Sequence, residues 1–274
     1  MREIDLIALD LDGTALMPDN TVSERTKEAV RRAKQAGVHV VIATGRICAE
    51  AREFAREIGA DDTMVTSGGA TLSSVEYGTC SVRISMPWEP AVRAAAVVER
   101  IGMTAMVYAG ERLLITPYDE IEFGRYKSNE GYLAAKQVEA SVAEYIANER
   151  LSVDKIFVRS SDDANLRYAR AQLESIPGVR VMSSASDNIE IISPIADKGM
   201  ALGMLCRTLG TNLSRAAAIG DSENDMEMLH AVALPVAMGN ATDAVKAACR
   251  RTTATNAMDG VAKAIEEILD SETH

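Results

Sequence analysis

The 274-residue chain is poor in the residues that build metal knuckles and disulfide scaffolds. Its four cysteines, Cys48, Cys80, Cys206 and Cys249, lie far apart with no C-x-x-C pair. That spacing excludes a zinc knuckle or a disulfide framework and fits free thiols in a reducing cytoplasm. Its three histidines, His39, His230 and His274, do not cluster, so a histidine metal site is not expected. Aromatic residues are 4% of the chain, too few for an obvious platform on which a base or flavin could stack. No apolar run approaches the roughly 18 residues of a membrane span. The opening "MREIDLIALD" carries charges inside its apolar run and is not read as a signal peptide. Positive charge is also short: 29 Lys and Arg face 40 Asp and Glu, a formal net charge of -11. Such a surface repels nucleic acid. It repels an anionic small substrate too, unless a cation reverses the field in one pocket.

The patterning is that of an α/β protein. "IDLIALDLD" is a continuous apolar run ending in acids, as buried parallel strands read. "VSERTKEAVRRAKQAG" is a helix with Ser23 as N-cap and Gly37 as its stop. "VHVVIATGR" is a second strand, "ICAEAREFAREIG" a helix, and "DTMVTSGGATL" a strand running into a glycine-rich turn. Strand and helix alternating in this way predict right-handed crossovers and a parallel sheet. From Arg83 the pattern changes to a helix, a hairpin about Gly110, a mostly helical stretch from Asn129 to Arg150, then strand, helix and two more strands. After Pro194 the first pattern returns. The expected fold is a Rossmann-like, doubly wound parallel-sheet core, residues 1–82 and 188–274, with an inserted α+β domain, residues 83–187. The 13 methionines are scattered and are read as core filling.

Ligands bind beyond the carboxyl ends of the strands in open α/β sheets. Four features fall at such ends or at the start of a helix: Asp10 with Asp12, Thr44, Lys198, and Asp221 with Asn224 and Asp225. Carboxylates placed together need a cation or a proton, and Mg²⁺ is the hard, oxygen-seeking choice. A carboxylate nucleophile, a second acid, a hydroxyl and an ammonium make a phosphoryl-transfer site. Gly13 and Gly45 allow close approach of backbone amides to a phosphate. Each piece alone is ordinary, "DGT" being a common turn. All four in order, each at an element terminus, point to one site.

"DLDGTAL", "IATGR", "DKG" and "GDSENDMEML" together resemble the haloacid dehalogenase (HAD) phosphatases, most closely the Cof-type subclass IIB branch. The similarity extends through "IEIISPIADKGMAL", "VAMGNATDAVKAAC" and "TNAMDGVAKAI", whereas the insert matches in pattern only. The resemblance implies that Asp10 attacks phosphorus and becomes an aspartyl phosphate. It implies that Asp12 is the general acid and base, its main-chain carbonyl also a metal ligand. Thr44, Gly45, Lys198 and Asn224 are then phosphate-binding, and Asp10, Asp12 and Asp221 hold Mg²⁺. Asp225 and Asn240 stand behind them. Relatives carry Asn where this chain has Gly68 in "TSGGATL", which bears on the substrate and not on the chemistry. Substrate contacts are expected from Arg46, Tyr118, Arg125 and Lys127, with Tyr108, Arg112 and Tyr126 as further candidates in the insert. The expected protein is a cytoplasmic, Mg²⁺-dependent phosphomonoesterase of small phosphates, sugar phosphates above all, working as a monomer or homodimer. A sugar phosphomutase and a non-catalytic metabolite-binding protein are the alternatives.

Overall fold

The computed structural model describes residues 3–124 and 130–271, and the backbone alone of Gly124, Glu130, Gly131 and Tyr132. The chain forms two compact units, Met1–Val82 with Asp197–His274, and Arg83–Ala196.

The first unit opens with β1 (Leu6–Leu9), four residues buried on both faces. A tight turn, in which Gly13 takes φ +76°, leads to α1 (Glu24–Gln35), whose N-cap Ser23 accepts a hydrogen bond from the Thr26 amide. β2 (His39–Ile42) lies parallel to β1, with Leu6 beside His39 and Leu9 beside Ile42. α2 (Cys48–Ile58) ends on Gly59 at φ +79°. β3 (Thr63–Thr66) touches the end of β2 through a single parallel bridge, Ala43 to Val65. It then pairs antiparallel with β4 (Thr71–Ser74) in a three-stranded sheet completed by β5 (Cys80–Arg83). The glycine-rich turn expected after β3 is present. It reverses the chain because Ser67, Gly68 and Gly69 all take positive φ.

The inserted unit contains α3 (Trp88–Ile101), β6 (Thr104–Ala109), β7 (Arg112–Ile115), α4 (Pro117–Gly124), α5 (Glu130–Ala135), β8 (Lys136–Val138), α6 (Val142–Glu149), β9 (Lys155–Arg159), α7 (Asp163–Glu174), β10 (Arg180–Met182) and β11 (Asn188–Ile192). Its six-stranded sheet runs β10-β11-β9-β6-β7-β8. Val107, Leu114, Ile156, Val158, Ile189 and Ile191 alternate along the strands and form one core with Ala94 and Val98 of α3, Ile146 of α6 and Leu173 of α7. The described part of the stretch from Asn129 to Arg150 is mostly helical, as expected, in α5 and α6, and between them Lys136–Val138 pairs parallel with the edge of β7, a tertiary pairing that local propensity does not encode. One boundary is corrected here. The unit ends at Ala196 rather than Asp187, because Asn188–Ile192 pairs along its whole length with β9.

The first unit resumes with α8 (Lys198–Thr208), β12 (Ala216–Gly220), α9 (Met226–Ala231), β13 (Leu234–Ala237), α10 (Asp243–Ala248), β14 (Arg251–Thr252) and α11 (Gly260–Ser271). The parallel sheet has the order β14-β13-β12-β1-β2. β1 lies between β12 and β2, so the loops after these three strands open at one edge, at the point where the chain order reverses.

Candidate active site

Asp10 follows β1 directly and is 3% exposed. Lys198, the first residue of α8, is fully enclosed and reaches it: its Nζ donates to Asp10 Oδ1 at 2.7 Å and to Asp225 Oδ1 at 2.6 Å. Asp10 Oδ2 has no hydrogen-bond partner among the described residues. The other oxygen of Asp225 accepts the backbone amides of Asp221 and Ser222, so Asp225 is bound on both sides. Asp221, just after β12, accepts from Thr14 Oγ1 at 2.8 Å. One carboxylate oxygen from each of Asp10, Asp221 and Asp225 falls within 4.8 Å of the others.

These acids are crowded. Burial pushes Asp10 well above the usual carboxylate range, Asp225 adds to the effect, and Lys198 only partly offsets it. Burial, helped by Asp225, pushes Asp221 up to about 7 against the Thr14 hydrogen bond. For Lys198, burial favours loss of the proton, but Asp10 and Asp225 outweigh it and hold the ammonium above its ordinary value. Hard oxygen donors that resist ionising together fit a hard divalent cation. Of the three, Asp10 and Asp221 have oxygens to offer, whereas both oxygens of Asp225 are engaged by the protein.

The remaining expected residues divide into two groups. Thr44 is fully buried after β2, and its Oγ1 accepts the Arg46 amide at 3.1 Å. Gly45 lies between these two residues. Asn224 is buried, with Oδ1 occupied by Ser222 Oγ at 2.8 Å. Asn240 donates to the Gly13 carbonyl at 2.8 Å and accepts the Asn256 amide at 2.9 Å, which fixes the turn after β1. The side chain of Asp12 stands apart from the acidic cluster. Both its oxygens are held by Arg46, at 2.6 and 2.8 Å. Arg46, expected among the substrate contacts, thus lies in the first unit with its guanidinium on Asp12 and over the Phe54 ring.

In the inserted unit, Tyr118 is half exposed and lines two cavities, of about 340 and 410 Å³. Tyr108 is buried, and Arg112 donates to the Tyr145 hydroxyl. Arg125, Tyr126 and Lys127 lie outside the described residues. Thr14, Ser222 and Asn256 support the site but were not singled out in the sequence. All three stand inside quoted stretches, "DGT", "GDSEND" and "TNAMDGVAKAI".

Glycine is obligatory at the turn after β1. A Cβ on Gly13 would lie 2.5 Å from Asp221 Oδ2, so the carboxylate rests against the bare backbone.

The sequence model of the haloacid dehalogenase-like hydrolases matches residues 7–265, and the chain belongs to that family. It is 30% identical over 265 residues to 5-amino-6-(5-phospho-D-ribitylamino)uracil phosphatase YcsE of Bacillus subtilis, an alignment spanning 96% of this chain and 95% of the relative. Among solved structures it is similar to a haloacid dehalogenase-like hydrolase from B. subtilis, with TM-score 0.84 and 26% identity over 96% of this chain and 99% of the other. A HAD subclass IIB sugar phosphatase shares the fold, with TM-score 0.81 and 23% identity over 96% and 98% of the two chains. The chain is therefore a phosphatase, and its class acts on small phosphate substrates. No helix among the described residues is long and apolar enough to cross a membrane.

Proposed function

We propose that this protein hydrolyses a small phosphomonoester, a sugar or polyol phosphate, through a phosphorylated Asp10. The observation that carries the reading is the state of Asp10: one oxygen is clamped by a buried ammonium and the other has no hydrogen-bond partner among the described residues. That free Oδ2 attacks phosphorus, and the bond from phosphorus to the ester oxygen breaks. Asp12 delivers a proton to the departing alkoxide. In the second half Asp12 takes a proton from water, the water oxygen attacks phosphorus, and the bond to Asp10 breaks to release phosphate. Both oxygens of Asp12 accept from Arg46, so one must be let go before Asp12 carries a proton. Lys198, the Thr44 hydroxyl and the amide N–H groups of Asn224 supply donors to the transferring oxygens. Asp221 and the Asp10 oxygen that does not attack would hold Mg²⁺, with the Asp12 carbonyl as the resemblance implies. When bound, the ion offsets the carboxylates and draws charge from the phosphoryl group.

The sugar or polyol assignment is supported by the scarcity of aromatic residues and by the phosphoribityl group in the name of one relative. The test is phosphate release from a panel of metabolite phosphates with Mg²⁺ present. Release from sugar or polyol phosphates is expected. No release from any member, or conversion of one sugar phosphate isomer to another without release, overturns the reading.

Asp221 offers a second check. Its pKa is about 7 in the folded, metal-free protein, against an ordinary 3.8. The folded state holds this proton more tightly than the unfolded chain does. The group therefore adds stability at acid pH, and that contribution is lost as pH rises through about 7. In chelator, Asp221→Asn is expected to melt at or above the wild type at pH 8, the gap closing toward about pH 5. Added Mg²⁺ should raise the melting temperature of the wild type and leave the variant nearly unmoved. An equal Mg²⁺ response in both proteins would remove Asp221 from the metal site.

A further inference from the structure

The turn after β3 joins two parts of the site that are distant in sequence. Ser67, Gly68 and Gly69 are all buried and take φ of +52°, +69° and +97°. On one side, the Ser67 amide donates to the Arg46 carbonyl at 2.8 Å and the Gly68 amide to the Thr44 carbonyl at 3.1 Å. The turn is thereby pinned to the loop that carries Thr44. On the other side it meets the start of α8 with no side chain between. A Cβ on Gly69 would fall 2.1 Å from the Asp197 carbonyl carbon and 2.5 Å from the Lys198 amide nitrogen. Those neighbours are backbone and cannot swing aside. Asp197 is also where the chain returns from the inserted unit, so Lys198 is the second residue after the return. Its own cap, Asp197 Oδ1 to the Met200 amide, fixes the first turn of the helix but not where that turn sits against β3.

We propose that the Ser67–Gly69 turn is a positioning element that sets the backbones of Thr44 and Lys198 at one fixed separation, with Gly69 as its wedge point. This rests on the reading of Thr44 and Lys198 as the residues that hold the transferring phosphoryl. The stiffness comes from three successive left-handed residues, one of them a serine, which have little freedom once buried. Adding one methyl at position 69 must push the turn and the start of α8 apart. Displacements of about 1 Å at a reacting centre cost on the order of 100-fold in rate. Asp10 and Asp221 follow different strands, and among the described residues no hydrogen bond joins either to this turn, so cation binding, reached only through the Lys198 contact with Asp10, should change far less than phosphate binding.

The structure supplies a control. Gly59 has nearly the same strained backbone, φ +79°, but a Cβ there meets nothing within 4 Å. Gly59→Ala therefore carries the backbone strain without the collision. The experiment measures inorganic phosphate binding by calorimetry at saturating Mg²⁺, the Mg²⁺ half-activation constant, and turnover of p-nitrophenyl phosphate. Wild type, Gly69→Ala, Gly59→Ala and Thr44→Val are compared, with melting curves to confirm folding. Gly69→Ala is expected to lose turnover by about 100-fold and to bind phosphate more weakly, with the Mg²⁺ constant changed far less, while Gly59→Ala keeps all three. Wild-type phosphate affinity in Gly69→Ala overturns the proposal. So does a parallel loss of Mg²⁺ binding, which marks general damage. If Gly69→Ala does not fold, Ser67→Gly decides the matter, since it adds no atom and only frees the turn. A fall in phosphate affinity at constant Mg²⁺ binding supports the proposal, and no change overturns it. Thr44→Val tests the underlying reading separately: if it binds phosphate as the wild type does, the assignment of Thr44 fails whatever Gly69→Ala shows.

Discussion

Asp10→Asn is expected to abolish phosphate release, by on the order of 10⁴-fold or more, while the protein stays folded. The introduced amide oxygen can still accept from Lys198 Nζ, which lies 2.7 Å from Asp10 Oδ1. It also relieves the crowding that pushes Asp10 above the usual carboxylate range. What the amide cannot do is form an acyl phosphate, because its remaining atom at the Oδ2 position is a poor nucleophile. A melting temperature near that of the wild type, with no phosphate release from any substrate the wild type accepts, is the expected pair of results. Retention of more than about a hundredth of the wild-type rate contradicts a covalent role for Asp10, since general acid–base contributions alone account for about that much.

Lys198→Met should be the most destabilising single change in the site. The ammonium is completely enclosed and bonds two carboxylates, at 2.6 and 2.7 Å. Methionine fills similar space with a flexible, unbranched chain, so the loss is electrostatic rather than steric. Breaking a buried pair by removing one partner typically costs about 3–5 kcal/mol, because the other charge is left uncompensated. Here two carboxylates lose their cation at once. Urea denaturation in chelator is expected to show a loss of that size, and turnover should vanish with it. Adding Asp225→Asn should recover part of the stability and none of the activity. If the two changes are simply additive in a double-mutant cycle, Lys198 and Asp225 do not act as a pair.

Elements with local signals were readable in the sequence. The apolar run before Asp10, the Ser23 cap and the Gly37 stop after α1 each announce an element through neighbours a few residues away, and all form as expected. The site motifs were readable for the same reason: Asp10, Thr44, Lys198 and Asp221 each sit at the end of an element that its own flanking residues define. What escaped was set by contacts far along the chain. Lys136–Val138 becomes a strand only because β7 presents a free edge. Residues 188–196 go with the insert only because β11 lies beside β9. The pairing of Arg46 with Asp12 was hidden too, since a lone arginine after "ATG" gives no hint of a partner 34 residues earlier. The wedge at Gly69 was equally hidden, since what makes a methyl impossible there is the backbone of Asp197.

Asp12 and Arg46 neutralise each other. What is left is three carboxylates, Asp10, Asp221 and Asp225, against one ammonium. Fully ionised, the pocket would carry two uncompensated negative charges, which its raised carboxyl pKa values resist and which one divalent ion would balance completely and one monovalent ion only by half. On the proposed function, a phosphate ester dianion would then enter neutral ground inside a protein whose formal charge is -11. On the proposed function the same count predicts that the cation enters before the ester, and steady-state kinetics in which Mg²⁺ and substrate bind in random order contradict it.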